Sequence, residues 1–172
     1  MKEDLTNPSA LHDELQNNAM QLFKFDKDDL PFNRDGKLSN KQVQRFIFET
    51  RKFTGVFIFS GLLLAGLFIL SWSKDKPLNQ LPLGIPISMI AAFTIIAIFG
   101  YMIGSKIYKT GIVSCSTGMV SFLTQNGKML IEIDGEYFAS NINFQKVFIS
   151  NVIYKIYYTP TDRSIVATEI IA

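Results

Sequence analysis

This chain has one cysteine, one histidine and one tryptophan among 172 residues. A single thiol, Cys115, cannot form an intramolecular disulfide, so nothing here implies an oxidising compartment. The single histidine, His12, lies in a polar segment far from Cys115, which leaves no metal-ligand cluster. His12 reads as a solvated surface residue. Cys115 sits in a strand pattern without a nearby histidine and reads as a small buried hydrophobe rather than a nucleophile. Serine nucleophiles have no base apart from His12, and the chain has no G-x-S-x-G elbow, phosphate-binding loop or dinucleotide fingerprint. The reading is therefore a protein with no catalytic residues, no cofactor and no metal. Strong charge of one sign is missing as well. Residues 1–52 have net charge 0, residues 53–109 net +3 and residues 110–172 net −1. A nucleic-acid partner has no electrostatic footprint in such a chain. The N-terminus MKEDLTNPSALHDELQ lacks the apolar core of a secretory signal.

What is present begins with two uncharged apolar runs, Phe53–Trp72 and Leu83–Gly104. A helix rises about 1.5 Å per residue, so ~20 residues cross a ~30 Å hydrocarbon core. Both runs are expected to be transmembrane helices joined by the short loop SKDKPLNQLP into an antiparallel hairpin. Phe53–Trp72 would act as an internal signal anchor. Lys41, Arg45, Arg51 and Lys52 precede the first run, and Lys106 and Lys109 follow the second. The connecting loop has only Lys74 and Lys76, flanking Asp75. This bias predicts an integral protein of a cytoplasmic membrane with both termini cytoplasmic. Neither span has an ionisable side chain except Tyr101, which argues against an ion or proton path. Gly61 with Ala65, and Gly100 with Gly104, are small residues four apart. Such pairs let helices approach closely, within the hairpin or between copies. A homo-oligomer is thus compatible with the spans.

Before the first run, a loose tail or short helix is expected from about Ser9, and Ala19–Phe25 forms an apolar helical patch. Asp26 reads as an N-cap, with Asp28 and Asp29 in the first turn of a short element interrupted by Pro31. The next residues, PFNRDGKLSNKQ (31–42), look like part of a calcium loop. Aligned on Gly36, however, the first ligand position is Pro31 and the twelfth is Gln42, so two principal ligands are missing. The same residues make a helix corner. Gly36 supplies a left-handed turn, and Ser39 with Gln42 forms an S-x-x-Q capping box. Leu38 and Val43 are placed as a hydrophobic staple. One helix from about Asn40 to Ser73 follows, with its first three turns amphipathic.

After Lys109 the chain is rich in Val, Ile, Tyr, Phe and Thr. Asn126-Gly127 and Asp134-Gly135 signal tight hairpin turns. A third hairpin is expected from VIYKIYYT through Pro160–Arg163 to SIVATEII. With GIVSC this makes about six strands. Asn143–Ile149 reads as one helical turn or an irregular connection. A small SH3-like or OB-like barrel on the cytoplasmic side is expected. Its core is small, so packing against the N-terminal segment or the hairpin is anticipated. The layout is α+β: residues 1–39 helical and cytoplasmic, 40–109 the hairpin with its leading helix, and 110–172 the β domain. Tyr154, Tyr157 and Tyr158, with Lys155 and Arg163, form either a strand buried on both faces or an interaction face.

Two segments carry a resemblance. DLPFNRDGKLS (29–39) resembles a D-L-x-x-N-R-x-G-x-L-S signature, and YKIYYTPTDRSIVATE (154–169) resembles a Y-x-x-Y-Y-x-P ending that closes on Glu. Together they are similar to small bacterial membrane proteins with two central spans. Thr161-Asp162-Arg163 departs from the serine or threonine expected nearer the arginine. The resemblance implies no catalytic residue, cofactor or substrate. The expected function is a membrane-anchored interaction or scaffold module, an accessory subunit that contacts the lipid bilayer and another membrane or cytoplasmic protein. The alternatives are a site-completing subunit of a membrane enzyme and an oligomeric channel or transporter subunit.

Overall fold

The computed structural model describes residues 8–75, 82–125, 128–139 and 144–171. Helix α1 spans Pro8–Phe23, a 3-10 turn Lys27–Asp29, α2 Leu30–Arg34, α3 Asn40–Asp75 and α4 Gly84–Thr110. The strands are β1 (Ser114–Met119), β2 (Ser121–Gln125), β3 (Lys128–Ile133), β4 (Glu136–Ala139), β5 (Ile153–Tyr158) and β6 (Ile165–Ile171), with a 3-10 turn at Phe144–Lys146 between β4 and β5. The architecture is α+β, with two long apolar helices and six strands in two sheets. The chain divides into two compact units, Met1–Gln42 with Gly111–Ala172, and Val43–Thr110.

In the first unit the strands form two antiparallel sheets of three, ordered β1-β5-β6 and β2-β3-β4. The β3–β4 hairpin turns at Asp134 and Gly135, both with positive φ (53° and 75°), as a two-residue turn of this hand requires. The β5–β6 hairpin turns through residues 159–164, where Arg163 is left-handed and its N–H donates to Thr159 O at 2.9 Å. Strands β1 and β2 follow one another directly, with buried Val120 at the break. Asn126-Gly127 lies outside the described residues.

One face of the β1-β5-β6 sheet looks inward. Tyr154, Ile156 and Val166 are fully buried there, near Ile131, Ile133 and Phe138 of the other sheet. Ser116 Oγ donates to Ile133 O at 3.2 Å across the gap. Phe138 meets Tyr158 edge-on at 5.0 Å, and Phe148 meets Tyr154 likewise at 5.0 Å. Apolar Leu15, Ala19 and Phe23 recur at helical spacing on α1 and are buried. Phe23 reaches Phe144 at 6.3 Å and Phe148 at 6.0 Å. The N-terminal apolar patch is therefore the end of one continuous 16-residue helix. That helix stops at Lys24, which is left-handed (φ 54°), while Phe25 N–H donates to Met20 O at 3.1 Å.

In the second unit α3 and α4 pack antiparallel. Phe46 stacks on Tyr108 at 4.5 Å, Thr50 lies against Gly104, and Phe93 lies against Gly61. At ~1.5 Å per residue, α3 is about 54 Å long and α4 about 40 Å. Their most apolar windows have mean hydropathy 2.4 and 2.1, yet only 11% and 6% of those windows is buried. Both helices are long and apolar enough to cross a membrane. Interior hydroxyls bond back along the helix, as with Thr50 to Phe46 O (2.8 Å) and Thr54 to Thr50 O (2.9 Å).

Candidate functional site

The corner at residues 29–42 is built from side chains that satisfy one another. Gly36 (φ 74°) ends α2 with two closing bonds: Lys37 N–H to Phe32 O at 2.9 Å and Gly36 N–H to Asn33 O at 3.1 Å. The chain then pairs with the residues before β1. Leu38 N–H donates to Gly111 O at 2.7 Å, and Val113 N–H to Gly36 O at 2.9 Å. Ser39 and Gln42 exchange the reciprocal bonds of a capping box, each at 3.1 Å.

The Gln42 side chain is fully buried and does more than cap. Its amide exchanges two hydrogen bonds with Asn33, at 2.9 and 3.2 Å, and donates to Val166 O of β6 at 3.2 Å. Asn33 also donates to Lys37 O at 2.9 Å. Asp29 accepts from the Ser39 hydroxyl and from Asp26 N–H at 2.8 Å. Asp29, Asn33, Ser39 and Gln42 are all buried. The polar side chains of this cluster bond to one another and to nearby backbone, and so hold the corner together. Asn33 and Asp35, which resembled calcium ligands, do not converge: Asn33 is committed inward and Asp35 is exposed.

Beside the corner, Arg34 of α2 pairs with Glu169 of β6 through two nitrogens, Nε at 3.0 Å. The Tyr157 hydroxyl donates to the same carboxylate at 2.5 Å. Burial pushes the Glu169 carboxyl up, but its bonds to Arg34 and Tyr157 outweigh this and hold it below the usual range. Burial, reinforced by Glu169, pushes the Tyr157 phenol well up. The two segments that carry the sequence resemblance thus meet at Arg34, Glu169 and Tyr157.

Of the alternatives for the tyrosine strand, the buried one holds. Tyr154, Tyr157 and Tyr158 are core side chains, not an open face. Tyr154 accepts from Ile149 N–H at 3.0 Å and donates to Val147 O at 3.3 Å, which fixes its ring. Lys155 lies half-buried with its ammonium 5.4 Å from the Tyr157 ring centre. Arg163 leaves the group altogether and pairs with Glu136 at 2.8 Å, between two hairpin turns. Cys115 is corrected also. It is exposed, on the face of β1 opposite to that of buried Ser116. Among the small residues of the helices, Gly61, Ala65 and Gly104 lie at the α3–α4 contact or are buried, whereas nothing comes within 4 Å of a Cβ built on Gly100. The G-x-x-x-G pair therefore does not act as one packing unit in this hairpin.

Pairing exposes a feature that residue counting missed. Met119, Ile153 and Ile171 are direct cross-strand neighbours on the outer face of the sheet. They are 59%, 38% and 40% exposed. Next to this row is an open groove of about 380 Å³, lined by Leu11, His12 and Leu15 of α1 and by Val152, Ile153 and Ile171. Strand register is what brings the three side chains into one row. Among the described residues, no three Asp, Glu, His or Cys side chains are grouped to hold a metal. Comparison with known protein families, curated proteins and solved structures finds no match to this chain.

Proposed function

We propose that this protein is a membrane-anchored interaction module. The α3–α4 hairpin spans the cytoplasmic membrane of a bacterium with both termini cytoplasmic, and the first unit presents a surface for another protein. The observation that carries the reading is the pairing of two unlike exposed apolar surfaces. The hairpin offers apolar side chains on nearly all sides, which suits lipid. The first unit offers the cross-strand row Met119–Ile153–Ile171 beside an apolar groove. An exposed apolar row beside a groove suits an apolar segment of a protein partner. Closure of the sheets as an SH3-like barrel is supported by the β2-β3-β4 meander, the 3-10 turn before β5 and the return of β5 to β1. The resemblance to small two-span bacterial proteins points the same way.

Purification of the full chain from cross-linked native membranes tests this reading. The expected result is one stoichiometric partner, lost when Ile153 and Ile171 are both changed to Glu and kept when Thr117 is changed to Glu. Recovery of the unaltered protein alone would refute it.

A further inference from the structure

The cytoplasmic end of the helix pair gathers charge at one level. Residues 43–52 and 101–110 contain five cations, Arg45, Arg51, Lys52, Lys106 and Lys109, against one acid, Glu49. The contacts Phe46–Tyr108 and Thr50–Gly104 set the register of the two helices. That register puts Lys109 level with Arg45, Lys106 level with Phe48, and Arg51 and Lys52 level with Met102 and Ile103. From Arg45 to Lys52 the helix rises about 10 Å, comparable with the ~5–8 Å headgroup layer of one leaflet. Arg51, Lys52, Lys106 and Lys109 are all exposed. Lys52 lies over the Phe48 ring at 4.6 Å and Arg45 over Phe46 at 4.6 Å, so aromatic rings sit at the same level as the cations. Exposed Phe53, Val56, Met102 and Ile103 follow directly on the apolar side.

We infer that this band binds anionic phospholipid headgroups and selects them over zwitterionic ones. The inference rests on the membrane reading above and adds the chemistry of the lipid. The five cations come from two helices and, by this register, lie within about 10 Å of one another along the axis. That arrangement suits several headgroups at once, not one soluble phosphate. Each cation held near an anionic surface adds a favourable increment, and increments from several side chains accumulate.

The full-length protein is reconstituted in nanodiscs of equal parts phosphatidylglycerol and phosphatidylcholine, and lipids retained on release are identified by native mass spectrometry. The comparison is a variant carrying Arg51→Gln, Lys52→Gln, Lys106→Gln and Lys109→Gln, whose helix content is checked by circular dichroism. Wild type is expected to retain phosphatidylglycerol in at least about fivefold excess, and the variant near parity. Parity in wild type, with the protein resistant to alkaline extraction, overturns the lipid selection alone. Equal excess in a folded variant also overturns it, because another part of the chain would then make the selection. Loss of the wild-type protein to the soluble phase at alkaline pH overturns the membrane reading and this inference together.

Discussion

At the residue scale, Gln42 is the most consequential side chain of the first unit. It closes the capping box, pairs with Asn33 and donates to the Val166 carbonyl of β6. Gln42→Ala leaves several buried polar groups without partners, and each such group costs about 1–3 kcal/mol. The expected loss is roughly 2–4 kcal/mol, read as a lowered melting temperature in detergent, whereas Lys41→Ala, on an exposed ion pair, should change little. Glu169 provides a pH test. Its folded carboxyl titrates below the ordinary 4.5, so near that pH the unfolded chain binds more protons than the folded one. The stabilisation is complete above the ordinary value and is lost as pH falls through the lower folded value. The melting temperature of wild type should therefore fall across this acid range, and Glu169→Gln should flatten the fall. An unchanged slope in the variant would remove Glu169 as its cause. Ser39, Gln42 and Gly36 were legible in the sequence because capping and left-handed turns are local chemistry. Asn33 and Asp29 were not, because their partners depend on how the corner folds back on itself. Arg34 and Glu169 lie far apart in sequence and meet only through β6.

At the element scale, the long helices were legible because an apolar run of fixed length needs no tertiary information. The strands were legible to the extent that turns announced them, as at Asp134-Gly135. The break at Val120 was announced only weakly, since Gly118 lies two residues before it but no Asn-Gly or Asp-Gly pair marks a turn. Helix packing depends on register, which a small-residue pattern alone does not supply. A Cβ at Gly61 would meet Phe93 Cβ at 2.7 Å, and one at Gly104 would meet Thr50 Cγ2 at 2.9 Å. Neither neighbour can swing away easily, because Phe93 is met at its root and Thr50 is bonded to Phe46 O. Gly61→Ala and Gly104→Ala should each destabilise the hairpin by roughly 1–3 kcal/mol through overpacking. Gly100→Ala should be neutral or slightly stabilising, since open space surrounds that position. Thermal melts of the three variants in one detergent would rank them. A Gly100 variant as damaging as the other two would show that Gly100 packs against something outside this hairpin, such as a second copy.

At the scale of the whole molecule, the division of labour follows from where apolar surface is covered. The first unit buries its aromatic side chains between two sheets and beneath α1, and residues up to Gln42 belong to it. Composition separated an N-terminal segment from a β region, because helical and strand-forming residues look different. The small size of the β region anticipated packing against the N-terminal segment or the hairpin, and the meeting of Phe23 with Phe144 and Phe148 realises the first of these. The second unit leaves its apolar side chains outward, and the proposed bilayer is what covers them. On this account the exposed Cys115 faces the cytoplasm. Labelling of this single thiol with a membrane-impermeant maleimide, in spheroplasts of a bacterial host, tests the central claim most directly. The account predicts that the protein stays in the membrane fraction, unlabelled in intact spheroplasts and labelled once the membrane is permeabilised. Labelling in intact spheroplasts, or recovery of the protein in the soluble fraction, would contradict it.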